Sequence, residues 1–325
     1  MVAAIRIHKH GGPEVLTYED IPAKEPGQGE VRIKQSAIGF NFIDVYFRSG
    51  AYPAPGGLPV VIGNEGAGVV AAVGPGVSEL KLGDRVAYYG PLGAYAAERN
   101  VPADRVLKLP KGIDEKTAAG MMLKGMTAEY LLRRTFKVEK GHTVLVHAAA
   151  GGVGTILSQW ANHLGATVIG TVGSKDKAEV AKKNGCHHTI LYRDEDFAAR
   201  VGEITKGAKC NVVYDGVGKA TFPGSLDCLK PRGYFVSFGA SSGQIDAFNI
   251  GLLQQKGSLY ATRPTLQTYS AKREDLVSIA NSLFDVVSKG AVKIAINQTY
   301  ALKDAAQAHR DLEARKTMGS TILLP

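Results

Sequence analysis

Apolar residues follow two rhythms along the chain. Over the first third they come in short runs of strand character. Val31 and Ile33 alternate with charged residues ahead of Ala37-Ile38, and Val60-Val61-Ile62 and the stretch 69–73 follow, broken by glycines. Turn signals separate the runs at Gly11-Gly12-Pro13, Gly74-Pro75 and Gly83-Asp84. Short strands at close spacing predict a barrel-like β module.

Near residue 120 the rhythm changes to alternating strands and helices. Thr143-Val144-Leu145-Val146 is a short apolar strand. Ile156, Leu157, Trp160, Ala161 and Leu164 then fall on one helical face, which predicts a helix over 155–164 ended by Gly165. A strand follows over 167–172, and a helix capped by Ser174 runs to Asn184, where Gly185 stops it. Strands at 212–214 and 234–238 continue the series. This βαβα order predicts a parallel sheet covered on both faces. The tail predicts a helix over 273–288, a strand over 293–296 and a helix over 303–315.

Composition narrows the picture. The 325 residues suggest two domains at roughly 150 residues each. With 45% hydrophobic residues the chain can bury a core without a staple. Cys186, Cys210 and Cys228 are odd in number and form no CxxC pair, which argues against a disulfide framework or zinc finger and for a reducing cytosol. No run of about 20 apolar residues could span a bilayer, and the N-terminus does not read as a signal peptide, so the expected location is the cytoplasm. The net charge of +9 admits acidic partners. The basic residues are dispersed, with Arg133-Arg134 and Lys182-Lys183 only as pairs, so nucleic acid stays a secondary alternative.

The most informative motif is His147-Ala148-Ala149-Ala150-Gly151-Gly152-Val153-Gly154. It follows an apolar strand and opens an amphipathic helix, the setting of a dinucleotide fingerprint. Ala149 supplies a small residue for the tight turn, Gly151 lets backbone approach a pyrophosphate, and Gly154 lets helix and strand pack closely. The helix start offers unpaired N–H groups and a positive dipole end to phosphates.

The end of the next strand selects the cofactor. NADH-specific sites place Asp or Glu there to accept from the ribose hydroxyls. This chain has Gly173-Ser174-Lys175-Asp176-Lys177. A 2′-phosphate would meet Ser174 and the lysines, Lys177 foremost. Charge-assisted hydrogen bonds of roughly 1.5–3 kcal/mol each make NADPH the expected cofactor, with Asp176 the one opposing charge.

On the stretches 37–50 (AIGFNFIDVYFRSG), 63–68 (GNEGAG), 123–127 (LKGMT), 213–218 (VYDGVG) and 257–264 (GSLYATRP), together with the glycine turn, the chain resembles the zinc-free quinone oxidoreductases of the medium-chain dehydrogenase/reductase superfamily, related to zeta-crystallin. The resemblance implies an α/β protein. A GroES-like partial β-barrel would comprise 1–122 and 267–325, and a Rossmann doubly wound parallel sheet, the NADPH-binding domain, 123–266. It implies adenosine-phosphate contacts at Gly173, Ser174, Lys177 and Tyr192, and later contacts at Phe238, Gly239 and Ser241. Asn41, Phe42, Asp44, Tyr46, Thr127 and Tyr130 fall where the family lines the nicotinamide end, and Arg263, Pro264 and Arg315 match further contacts. It also implies a homodimer joined through sheet edges near 257–262.

Zinc-dependent relatives place a cysteine within the segment matching 37–42 and a histidine in a GHE motif. Here the segment reads Ala-Ile-Gly-Phe-Asn-Phe and the motif reads Gly63-Asn64-Glu65, so no metal is expected. Without a Lewis acid, hydride transfer needs an acceptor that is already electrophilic. A quinone fits, and an enone or alkenal is the second reading. An NADPH-binding protein with an RNA-binding or structural role is the third. Asn41 and Arg263 are expected to orient the acceptor or nicotinamide, Tyr46 and Tyr52 to stack on or hydrogen-bond a flat acceptor, and Asp44 to fix backbone or cofactor amide. His8 and His10 read as surface residues rather than a metal pair, and Lys124 reads as a surface lysine.

Overall fold

The computed structural model describes residues 1–325. It divides into two compact units, Met1–Lys124 with Arg273–Phe284 and Ile294–Pro325, and Gly125–Lys272 with Asp285–Lys293.

The first unit opens with β1 (Val2–Ile7), β2 (Leu16–Ile21), β3 (Glu30–Phe40), β4 (Val60–Val61), β5 (Glu65–Val73), β6 (Arg85–Tyr89), β7 (Glu98–Pro102) and β8 (Val106–Lys108). Strand β3 organises it. Val31 and Ile33 point into the core while Arg32 and Lys34 are less buried, as the period of two demands. From Ala37 to Phe40 every residue is buried, because β3 is covered on both faces there. It pairs antiparallel with both β5 and β7. Ile5, Ile7, Ile33, Ile38, Val70 and Val86 fill the barrel core.

The second unit carries β9 (Thr143–Val146), β10 (Thr167–Val172), β11 (His188–Leu191), β12 (Cys210–Asp215), β13 (Leu229–Ser237) and β14 (Tyr260–Thr262). All pair in parallel in the order β11-β10-β9-β12-β13-β14. Chain direction across the sheet reverses between β9 and β12, the switch point where doubly wound sheets bind ligands at their carboxyl ends. The central strands are rich in valine and buried on both faces, with Val144, Leu145 and Val146 all at 0% exposure.

The chain then returns to the first unit with β15 (Ile296–Ala301) and β16 (Ser320–Leu324). Strand β16 pairs antiparallel with β3 and parallel with β15, which completes the seven-stranded sheet. The strand expected at 293–296 is therefore displaced. Val292 belongs to the packing behind helix Arg273–Ser288, through its N–H to Val286 O at 3.1 Å. The pairing strand starts at Ile296, and its alternating half-exposed pattern suits a sheet edge. No helix is long and apolar enough to cross a membrane.

Candidate active site

In the first unit the candidate residues gather where β3 gives way to helix Phe42–Ser49. Asn41 is the N-cap, in an extended conformation with φ −139° and ψ 157°. Its backbone N–H donates to Asp44 Oδ2 at 2.9 Å, and its Nδ2 donates to Glu65 Oε1 at 2.6 Å. Glu65 is fully buried at the start of β5. It also accepts from the Leu123 N–H and pairs with Lys124 Nζ at 3.2 Å. Lys124 is thus not the surface lysine its sequence suggests. It is 5% exposed, because a carboxylate buried at this depth requires a cation beside it.

Asp44 is fully buried as well. Its Oδ2 also accepts from the Tyr95 hydroxyl at 3.0 Å, while its Oδ1 is buried without a partner. Burial pushes its carboxyl up to about 7, opposed by the Asn41 and Tyr95 hydrogen bonds. Behind Tyr95, its oxygen lies 3.3 Å from His309 Nε2, and His309 Nδ1 lies 2.9 Å from Arg48 Nη1. An arginine only donates, so Nδ1 accepts and the ring proton sits on Nε2. Nε2–H then donates to Tyr95, whose own proton is left for Asp44. Burial, then the Arg48 charge, pushes His309 down to about 3, so it is neutral at neutral pH. Arg48 is neutralised by Glu313 at 2.5 Å.

Aromatic rings complete this end. Tyr46 lies 4.9 Å from Tyr52 and 5.3 Å from Phe42, centroid to centroid. His8 bonds Glu19 and His10 approaches the Arg48 carbonyl; the two histidines do not converge. No three His, Cys, Asp or Glu side chains anywhere come together to hold a metal ion. Arg315 lies in the same unit, exposed and left-handed with φ 61°, just past helix Ala305–Glu313.

In the second unit the glycine turn joins β9 to helix Gly152–His163. Ala148 takes φ 54°, and the Gly151 N–H returns to Ala148 O at 2.9 Å, closing the turn. A Cβ on Gly154 would lie 2.4 Å from Ala148 O and 2.8 Å from Ala149 Cα, so helix and strand touch only because glycine is there. Ala149 is fully buried. N-cap Gly151 brings no side-chain cap, and the first turn, with Gly152 and Val153, holds no acid. Its N–H groups stay available for an anion. The residues present therefore fit a pyrophosphate.

Beside the turn, β10 ends at Gly173 and Ser174 caps helix Lys175–Lys183, its hydroxyl accepting from Lys177 N–H at 3.4 Å. Tyr192 stands over Gly173, its hydroxyl 2.8 Å from where a Cβ would be. A 2′-phosphate fits here: the strand ends on glycine and not on a carboxylate, the Tyr192 phenol stands over it, and the Ser174 hydroxyl follows in the chain.

After β13, Phe238 and Gly239 pack against Gly216; a Cβ on Gly239 would meet Gly216 O at 2.6 Å, and the Ser241 N–H donates to the same oxygen at 3.2 Å. Arg263 Nη1 donates to Ser237 O, Ser237 Oγ and Gly239 O at 3.1, 3.0 and 2.6 Å. Pro264 after it is buried. Thr127 and Tyr130 are buried, with Tyr130 stacked on Tyr269 at 4.7 Å.

Sequence reasoning missed a third network. His147 lies between Thr171 Oγ1 at 2.9 Å and Ser225 Oγ at 3.0 Å, and Ser225 donates to Asp215 Oδ2 at 2.9 Å. Asp215 Oδ1 accepts from the Val217 and Gly218 N–H groups at 2.7 and 2.9 Å. Burial lowers the pKa of His147 against the pull of Asp215. A neutral histidine thus ties the glycine turn to the VYDGVG loop. The one sequence signal was a polar residue ending an apolar strand.

Comparison with known proteins agrees with this arrangement. Residues 152–274 match the family model described as zinc-binding dehydrogenase, and residues 27–111 match the alcohol dehydrogenase GroES-like domain. A quinone oxidoreductase of Pseudomonas aeruginosa is 53% identical over 100% of both chains. A 2-haloacrylate reductase of Burkholderia is 48% identical, covering 100% of this chain and 99% of that one. The crystal structure of Escherichia coli quinone oxidoreductase complexed with NADPH superposes with a TM-score of 0.97 at 49% identity, covering 99% of this chain and 100% of that one. The chain belongs to the quinone oxidoreductase family of the medium-chain dehydrogenase/reductase superfamily.

Proposed function

We propose that this protein is an NADPH-dependent quinone reductase. The observation that carries the reading is the glycine turn beside a strand end that closes on glycine, followed by the Ser174 hydroxyl and the lysines of the next helix, with Asp176 in its first turn the one opposing charge. A solved relative of the same fold, 49% identical, holds NADPH. When bound, NADPH supplies a hydride. The protein's part is to grip the phosphates, orient the reacting rings and exclude water. Ala149, Gly151, Gly152, Val153 and Gly154 hold the pyrophosphate. Gly173, Ser174, Lys177 and Tyr192 hold the adenosine phosphate, and Phe238, Gly239 and Ser241 form a further wall. Arg263 acts through the carbonyls it braces. Asn41 presents a carboxamide whose amide end is fixed by Glu65, and the rings of Tyr46 and Tyr52 offer flat faces to a flat acceptor. Phe42, Asp44, Thr127, Tyr130, Pro264 and Arg315 complete the cofactor set.

The acceptor is a small-molecule quinone. Enone reduction is the second reading, favoured by the relative named 2-haloacrylate reductase, whose name specifies an activated carbon–carbon double bond. Steady-state NADPH oxidation with a panel of quinones and enones separates them: turnover of quinones is expected, and a rate confined to enones would reject the first reading. We further propose a cytoplasmic homodimer joined along β14. All three residues of that strand are exposed, and Tyr260 stacks on Tyr234 at 4.6 Å. Sedimentation at micromolar concentration should give twice the 34.4 kDa chain mass. A nucleic-acid role predicts RNA affinity that falls steeply with salt and competes with NADPH; a filter-binding titration is expected to show none.

A further inference from the structure

Strand β11 ends beside Gly173 and Ser174, and Arg193 follows just past its end. In the parallel register Val172 pairs with Leu191, and the Tyr192 N–H extends the ladder to Val172 O at 3.2 Å. Continuing that register places Tyr192 beside Gly173 and Arg193 beside Ser174. The side chains follow. Where a Cβ on Gly173 would stand, the Tyr192 hydroxyl is 2.8 Å away and Arg193 Nε is 3.5 Å away. The guanidinium therefore lies at the carboxyl end of β10, against Gly173, the residue before Ser174.

Arg193 is exposed, and no ion pair or hydrogen bond holds it within the protein. Asp194 follows it directly and is exposed without an ion pair to it, and Glu195 is already engaged: Oε1 accepts from the Leu191 N–H at 2.9 Å and Oε2 pairs with Arg200 at 2.8 Å. Glycine at 173 removes the side chain that would otherwise separate the guanidinium from the strand end. An arginine presents a planar fork of donors that matches a phosphate with two parallel hydrogen bonds, which a lysine cannot do.

We propose that Arg193 is a second cationic contact for the 2′-phosphate of NADPH, acting with Lys177 to select NADPH over NADH. The assignment rests on the NADPH reading above and adds to it the residue that reads the phosphate's shape. A guanidinium that no carboxylate of the chain engages, beside a strand that ends on glycine, is a site without a ligand of its own. The phosphate is the one anionic group of the cofactor that the glycine turn does not serve.

The test is calorimetric titration of the full chain, wild type and R193Q, with NADPH, NADH, 2′,5′-ADP and 5′-AMP. The variant should bind NADPH and 2′,5′-ADP about tenfold or more weakly, as loss of one charge-assisted contact requires. Binding of NADH and 5′-AMP should stay within about twofold. R193K, which keeps the charge but not the fork, should fall between. Unchanged NADPH affinity in R193Q, or equal losses for NADPH and NADH, would overturn the assignment while leaving the NADPH reading in place. A wild type that binds NADPH no better than NADH would overturn both.

Discussion

At the scale of single residues, buried charge governs the first unit. Glu65 and Lys124 are 0% and 5% exposed and neutralise each other. Replacing Lys124 with Met should leave Glu65 buried without its cation and cost about 3–5 kcal/mol. The double variant K124M/E65Q should recover part of that loss, and urea denaturation of the three chains measures it. A K124M chain as stable as wild type would show the pair to be dispensable. Asp44 and His309 make a prediction with opposite signs. The folded chain keeps a proton on Asp44 up to about pH 7, whereas an unfolded carboxyl near 3.8 has already lost it. Between those values stability falls as pH rises. The folded chain refuses a proton on His309 down to about pH 3, while the unfolded one takes it up from 6.5. That contribution is present above pH 6.5 and lost with acid. Between pH 4 and 6.5 the two oppose each other in wild type. D44N should therefore show stability rising more steeply with pH over that interval, and H309Q less steeply. Parallel profiles for all three chains would contradict both shifts. None of this was legible from sequence. Asn41 and Asp44 could be singled out by motif, but Glu65, Tyr95 and His309 reach them only through the fold. Lys124 read as a surface lysine because nothing local marks a lysine as paired with a carboxylate far away in sequence.

At the scale of elements, the glycine turn carries separable duties. A Cβ on Gly154 would strike backbone, 2.4 Å from Ala148 O, and backbone cannot move aside. G154A should cost about 1–3 kcal/mol of stability and weaken cofactor binding with it. A Cβ on Gly151 would meet only Ala148 O at 3.2 Å. G151A should fold close to wild type yet lose NADPH affinity, because the added methyl stands where the pyrophosphate approaches. Thermal melts with and without NADPH distinguish the two; equal loss of stability would refute the division. The elements of this region were the most legible in the sequence. Strand 143–146, strand 167–172 and helix 273–288 occur where periodicity puts them. Apolar strands between amphipathic helices leave little freedom of register. Strand β15 was displaced because an edge strand needs only one partner and half a face, so Asn297 and Thr299 serve where an interior strand would need apolar residues.

At the scale of the whole molecule, cofactor binding should stabilise the chain by mass action. At a hundred times its Kd, NADPH contributes about 2.7 kcal/mol. NADH at the same concentration should raise the melting temperature less, by differential scanning fluorimetry. Identical shifts would remove the case for phosphate selection. The sequence showed a β-rich opening and an alternating middle. It did not show, without a family resemblance, that the tail goes home to the opening, since β16 looks like any short apolar strand. That return has a consequence for biosynthesis. Strand β3 leaves the ribosome early, yet Ile38 and Phe40 find their partners Leu323 and Thr321 only when translation is nearly over. The parallel sheet can close while the barrel still waits with an open seam. A nascent polypeptide of this architecture therefore leaves one edge of β3, from Ile38 to Phe40, without its partner for most of its synthesis, and its yield in the cell should depend on chaperones that shelter that seam until the last strand arrives.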